Sequence, residues 1–211
     1  GCGNAYLTFA GYHYLNHIRG VSAQVIGIDR EVELIEKCNR LRDSLGWSGL
    51  EFFQARIAEY APEVAPDMVL SLHACDTATD EAIAQGVIWQ SHIILAAPCC
   101  QHELRPQIEA SLFDPVLKHG ILKQRTADIL TDACRAQVLR ILGYRTDVVQ
   151  FIDSKHTPKN LMIRARKALT PENRIYTTKY KALTDFWNIE PSIEKLLKDE
   201  LEPYFDPDSE A

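Results

Sequence analysis

What this sequence lacks narrows it first. No apolar run approaches the roughly 20 residues that span a bilayer, and no lipidation signal is visible, so nothing predicts a helical membrane anchor. Cysteine comes without a framework. The six thiols show neither regular spacing nor a Cys-x2-4-Cys knuckle, and no secretory signal precedes them, which predicts reduced thiols in a cytoplasmic protein. Positive charge is in deficit: a net charge of -6 gives no molecule-wide attraction for nucleic acid or anionic lipid. Repeats and low-complexity tracts are missing. So are an initiator Met and any strand ahead of Gly1-Cys2-Gly3, and the expectation is a piece of a longer chain whose first strand lies upstream with any targeting signal.

What is present alternates between two apolar periods. Leu7, Ala10, Tyr14 and Ile18 share a helical face, and Ala23 to Ile28 reads as a strand ending at Asp29. Leu34, Cys38, Leu41 and Leu45 predict a second helix closed by Gly46. Strands follow at Phe52–Ala55, Met68–Leu72 and His92–Ala97, with helices over Thr77–Trp89 (a Thr77 cap, Asp80 three residues on), Glu103–Leu112 and around Leu130 to Leu142. Tyr144–Ile152 and Asn160–Arg166 are joined too closely for a parallel crossover, so they pair as a hairpin, and Glu172–Leu201 is helical. The expected fold is α/β: a Rossmann-like, doubly wound, mostly parallel sheet with an antiparallel terminal strand hairpin, its first strand missing. Residues 1–168 form the main domain and 169–211 a helical extension packed on it.

In such sheets ligands lie beyond the carboxyl ends of the strands, at a glycine turn. Gly1 and Gly3 stand where that turn belongs, and Asp29 stands where a carboxylate accepts the hydroxyls of an adenosine ribose, unless it merely caps the helix at Arg30. Tyr6 occupies the place of the third small residue of a dinucleotide fingerprint, which argues against NAD. "GCGNAYLTFA", "VIGIDRE" and "FFQARI" together resemble the class I S-adenosylmethionine-dependent methyltransferases, with Ala5 in place of a third glycine. "LSLHACDTATDEAI" and "PCCQHEL" are similar to one branch of them, whose fourth strand ends in Leu-His-x-Cys-Gly-x-x-Thr-Asp and whose fifth ends in Cys-Cys-x-His. That branch includes tRNA ribose 2'-O-methyltransferases and glutathione S-transferase C-terminal domain-containing proteins. Asp76 takes the place of the branch's glycine. The resemblance implies S-adenosyl-L-methionine as cofactor, held by Gly1, Gly3, Asn4, Asp29, Arg30, Arg56, Ile57, Leu72 and His73.

Cys75, Cys99, Cys100 and His102, with His73 near, admit several readings. Zinc is disfavoured because adjacent cysteines rarely point the same way off an extended chain, and a disulfide between neighbours needs strained backbone. No metal is expected. The remaining readings are core cysteine and an acceptor pocket lined by small, polarizable thiols. His73 is the first choice of base, with His102 and Asp76 behind it, and a structural histidine is the competing reading of the histidines. The acceptor is expected to be a protein or a small molecule. RNA is the alternative, because Lys155 to Lys181 carries eight Lys/Arg against Glu172 alone, and a non-catalytic binding module is the third.

Overall fold

A computed structural model describes residues 1–72, 74–168, 171 and 174–205. The chain divides into two compact units, Gly1–Pro62 and Glu63–Ala211.

In the first unit α1 (Tyr6–His13) runs on through a π-helical turn, Tyr14–Ile18. β1 (Val25–Asp29), α2 (Val32–Leu45) and β2 (Leu50–Gln54) follow. β1 and β2 are parallel, paired from Val25 with Leu50 to Asp29 with Gln54. α2 stops where predicted. Gly46 takes φ 66° and returns its amide to the carbonyls of Arg42 and Asp43, a conformation without penalty for a residue lacking Cβ. The face predicted for α1 is corrected: Leu7, Ala10, Tyr14 and Ile18 are all exposed, while Ala5 and Tyr12 are buried. Two aromatic rings decide it. The Phe9 and Phe52 ring centroids are 5.2 Å apart and those of Tyr12 and Trp47 5.0 Å, so these aromatic contacts turn the Phe9–Tyr12 side of the helix inward. Ile35, Cys38, Leu50 and Phe52 complete that core.

The second unit contains β3 (Met68–Leu72), α3 (Thr77–Ile88), β4 (Ile93–Ala97), α4 (Asp114–Leu117), α5 (Gly120–Ile141), β5 (Tyr144–Gln150) and β6 (Leu161–Lys167). α6 (Arg174–Trp187), α7 (Ser192–Leu196) and α8 (Lys198–Phe205) end it. Its sheet has the order β3-β4-β6-β5: β3 and β4 are parallel, and β6 is antiparallel to both neighbours, so the predicted hairpin is there with its second strand inside the sheet. Ile94, Ala96, Ile163, Ala165, Tyr144 and Thr146 form the buried face, and α3 and α5 pack on this sheet. Met68, Leu70, Arg145, Arg164 and Arg166 on the opposite face are exposed, so within this unit the sheet is covered on one side rather than two.

The helix predicted over Glu103–Leu112 is absent. Pro106 cannot donate and restricts Arg105, and the segment closes isolated turns instead, with Arg105 N donating to His102 O and Ile108 N to Leu104 O. The tail is helical, in three segments, with Pro191 preceding α7 at φ -64° and Leu197 separating α7 from α8. Tyr180, Trp187, Ile193, Leu197 and Leu201 of the tail share one core with Ile83, Ile94 and Val138. Among the described residues no helix is long and apolar enough to cross a membrane.

Candidate active site

At the carboxyl end of β1 the first unit builds a backbone cradle. The Cys2 amide donates to Ile28 O at 2.8 Å, drawing residues 1–4 alongside the strand end. The Gly3 amide then donates to Asp29 Oδ2 at 2.7 Å, while the Glu31 amide donates to Oδ1 at 3.1 Å. Each carboxylate oxygen has a second lone pair, so Asp29 keeps acceptor capacity for a ligand. Burial pushes the Asp29 carboxyl up, but the Gly3 and Glu31 amides, the N-terminal ammonium and the Arg30 amide together outweigh it and hold the group below its ordinary value. Gly3 has φ 54° with nothing within 4 Å of where a Cβ would stand, leaving room for a ligand against bare backbone. Ala5 is also left-handed, at φ 57°, the conformation a third glycine would take without strain.

The pairing of Asp29 with Gln54 brings the sequence after β2 to the same end: Ala55 N donates to Asp29 O, and Gln54 Nε2 to Arg30 O. Arg56 and the half-buried Ile57 follow directly. Arg30 is exposed and faces Glu31 at 3.4 Å, and Asn4 Oδ1 accepts from Lys37 Nζ at 2.9 Å. Gly1, Gly3, Asn4, Asp29, Arg30, Arg56 and Ile57 therefore belong to one rim. Tyr6 is 81% exposed and meets no close packing among the described residues.

In the second unit the parallel pairing of Leu72 with Ala97 aligns the ends of β3 and β4. Leu72 is half-buried there, and His73 lies outside the described residues. Beyond these ends the Sγ atoms of Cys75 and Cys99 are 3.6 Å apart, and those of Cys99 and Cys100 3.7 Å. The expectation that neighbouring cysteines diverge is corrected: both lie past the end of β4, where the alternation of an extended strand no longer governs them. Desolvation, then the Cys75 and Cys100 thiols, push the Cys99 thiol up to about 12, which favours the neutral thiol over the nucleophilic thiolate.

Asp76 joins the two loops. Its amide donates to Cys100 O at 3.2 Å, and its Oδ1 accepts from the amides of His102 at 2.9 Å and Glu103 at 3.2 Å. It sits at φ 51°, ψ -124°, the second position of a turn closed by Ala78 N donating to Cys75 O, where a type II′ turn favours glycine. The predicted Thr77 cap is thus replaced: Asp76 precedes α3, and its carboxylate serves the loop after β4 rather than the helix. His102 is exposed.

A buried ionic knot beneath these loops was not foreseen. Arg135, fully buried on α5, donates Nε to Asp80 Oδ1 at 2.8 Å and Nη2 to Asp80 Oδ2 at 2.6 Å, Nη1 to Asp132 Oδ1 at 3.0 Å, and Nη2 to Asp76 O at 2.9 Å. Asp132 Oδ2 accepts from Gln101 Nε2 at 2.8 Å, tying in the loop after β4. Burial pushes the Asp132 carboxyl up, and Arg135 and Gln101 offset this only in part. Thr79 Oγ1 donates to Ala74 O at 2.5 Å. The signal for this knot lay in Thr79-Asp80, which close the "LHACDTATD" motif: they hold its loop.

A methyltransferase-domain family model matches residues 1–107, just over half of the 211 residues, and the chain belongs to that family. The match takes in the whole of the first unit and both strand-end loops of the second. No curated protein and no solved structure matches the chain.

Proposed function

We propose that this protein transfers the methyl group of S-adenosylmethionine to a protein side chain or a small molecule. The observation that carries this reading is the cradle at Asp29: a left-handed glycine with open space at its Cβ position, bonded to a buried strand-end carboxylate, in a chain of a methyltransferase family. When bound, that cofactor supplies a sulfonium-activated methyl group. Gly1, Gly3 and Asn4 would line its amino-acid end, Asp29 would accept from its ribose, and Arg30, Arg56 and Ile57 would border its adenine. Leu72 and His73 belong to the same reading.

On the acceptor side Cys75, Cys99 and Cys100 supply polarizable surface, and His73 is assigned the acceptor's proton. Asp76 is the weaker base, since Oδ1 already accepts two amides and its carboxylate is committed to the loop; His102, exposed, ranks ahead of it. The branch similar to tRNA ribose 2'-O-methyltransferases, the 1–168 and 169–211 division and a cytoplasmic location are part of the proposal. RNA is the second reading, favoured by Arg145, Arg164 and Arg166 on one exposed sheet face. Against it, Lys155, Lys159 and Arg164 are paired with Asp153, Asp128 and Asp147, which cancels part of the basic stretch.

The test is transfer of tritiated methyl from labelled cofactor into a fractionated cell extract. Counts in protein or metabolite support the first reading, counts sensitive to ribonuclease move the acceptor to RNA, and no rise in melting temperature with adenosylhomocysteine removes the cofactor reading altogether.

A further inference from the structure

We propose that Cys75, Cys99 and Cys100 form a three-thiolate site for one thiophilic d10 cation, of the Zn(II) or Cu(I) class. All three Sγ atoms lie within 4.8 Å of one another, two of the pairs at 3.6 and 3.7 Å. Sulfurs bound at about 2.3 Å around a tetrahedral zinc stand about 3.8 Å apart, so two pairs already have the spacing of a coordinated set. Oxygen-loving cations such as magnesium and calcium are poor partners for three sulfurs, whereas soft thiolates select Zn(II) and Cu(I).

The chain holds this arrangement from outside the cluster. Asp76 N donates to Cys100 O, Ala78 N to Cys75 O, and Arg135 grips Asp76 O, so both loops are fixed before any ion arrives, as supporting contacts around metal ligands do. Cys75 is exposed, giving an ion entry from solvent. Three protein sulfurs leave the fourth position of a tetrahedral cation to water or to an incoming ligand. Binding exchanges up to three thiol protons, released to solvent, for the cation. No sulfur is oxidised, and no electron acceptor is required.

The proposal goes beyond methyl transfer and is tested without it. The reduced protein is titrated with Cd(II), a spectroscopic stand-in for Zn(II), and the ultraviolet thiolate-to-metal charge-transfer band is followed. The expected result is saturation at one equivalent per chain, with Cys75→Ser, Cys99→Ser and Cys100→Ser each weakening binding by about tenfold or more, and Cys2→Ser leaving it unchanged. Alkylation of the wild-type protein, mapped by mass spectrometry, covers any variant that fails to fold: Cd(II) is expected to protect Cys75, Cys99 and Cys100. The proposal is overturned by a titration without a saturating band, by a full band surviving in the triple serine variant, or by unchanged alkylation of the three thiols.

Discussion

At the scale of single residues, Asp76 is held by competing demands. Its backbone occupies a region suited to glycine, at a cost of about 1–3 kcal/mol, while its carboxylate binds two amides of the neighbouring loop. Asp76→Ala keeps the strain and loses the bonds, so it should destabilise by about 1–3 kcal/mol; Asp76→Gly relieves the strain and should cost less. Urea denaturation of both variants checks the order. Asp29 carries the pH prediction. Its folded carboxyl sits below the ordinary 3.8, so its contribution to stability is present above that value and is lost as pH falls through the lower, folded one. The wild type should therefore lose stability more steeply below pH 3.8 than Asp29→Asn, as read from melting temperatures across the acid range. Residue roles were unevenly legible in the sequence. Asp29 and Gly3 could be paired because adjacent motifs imply one site, whereas Arg135 was invisible: its partner Asp80 is 55 positions away, and no periodicity announces a buried arginine.

Among elements, legibility followed the strength of the local signal. α2, with its closing glycine, and β3 have the bounds expected, although in α2 Ile35 and Cys38 are buried while Leu41 and Leu45 of the expected stripe are exposed. The segment after Glu103 misled because its apolar residues, Leu104 and Ile108, are buried by turns rather than by a helix. β1 carries a requirement that no motif advertises. Gly27 pairs with Phe52, and a Cβ on Gly27 would fall 2.5 Å from the Phe52 ring and 3.2 Å from Cys2 Sγ. Gly27→Ala should displace that ring and cost about 1–3 kcal/mol, with the Gly1–Asn4 loop loosened as well. Thermal unfolding measures the first effect, and a smaller adenosylhomocysteine-induced rise in melting temperature measures the second.

For the whole molecule, alternating strands and helices predicted an α/β protein, and that much the family match and the sheets bear out. The placement of the tail in the core was harder to read, since an amphipathic helix looks the same whether it lies on a surface or completes an interior. Trp187 is 6% exposed and packs against the Phe113 ring at a tilt of 52°, with centroids 4.9 Å apart, so Trp187→Ala should cost about 3–5 kcal/mol, visible in chemical denaturation. The tail also reaches the loop after β4: the Ser192 amide and hydroxyl both donate to Glu103 Oε1, one residue from His102. A premature stop codon near residue 168 would therefore do more than shorten an appendage. It would uncover an interior and take from Glu103 the two Ser192 donors that tether the loop after β4, so inherited truncations of this end should behave as complete losses of the protein.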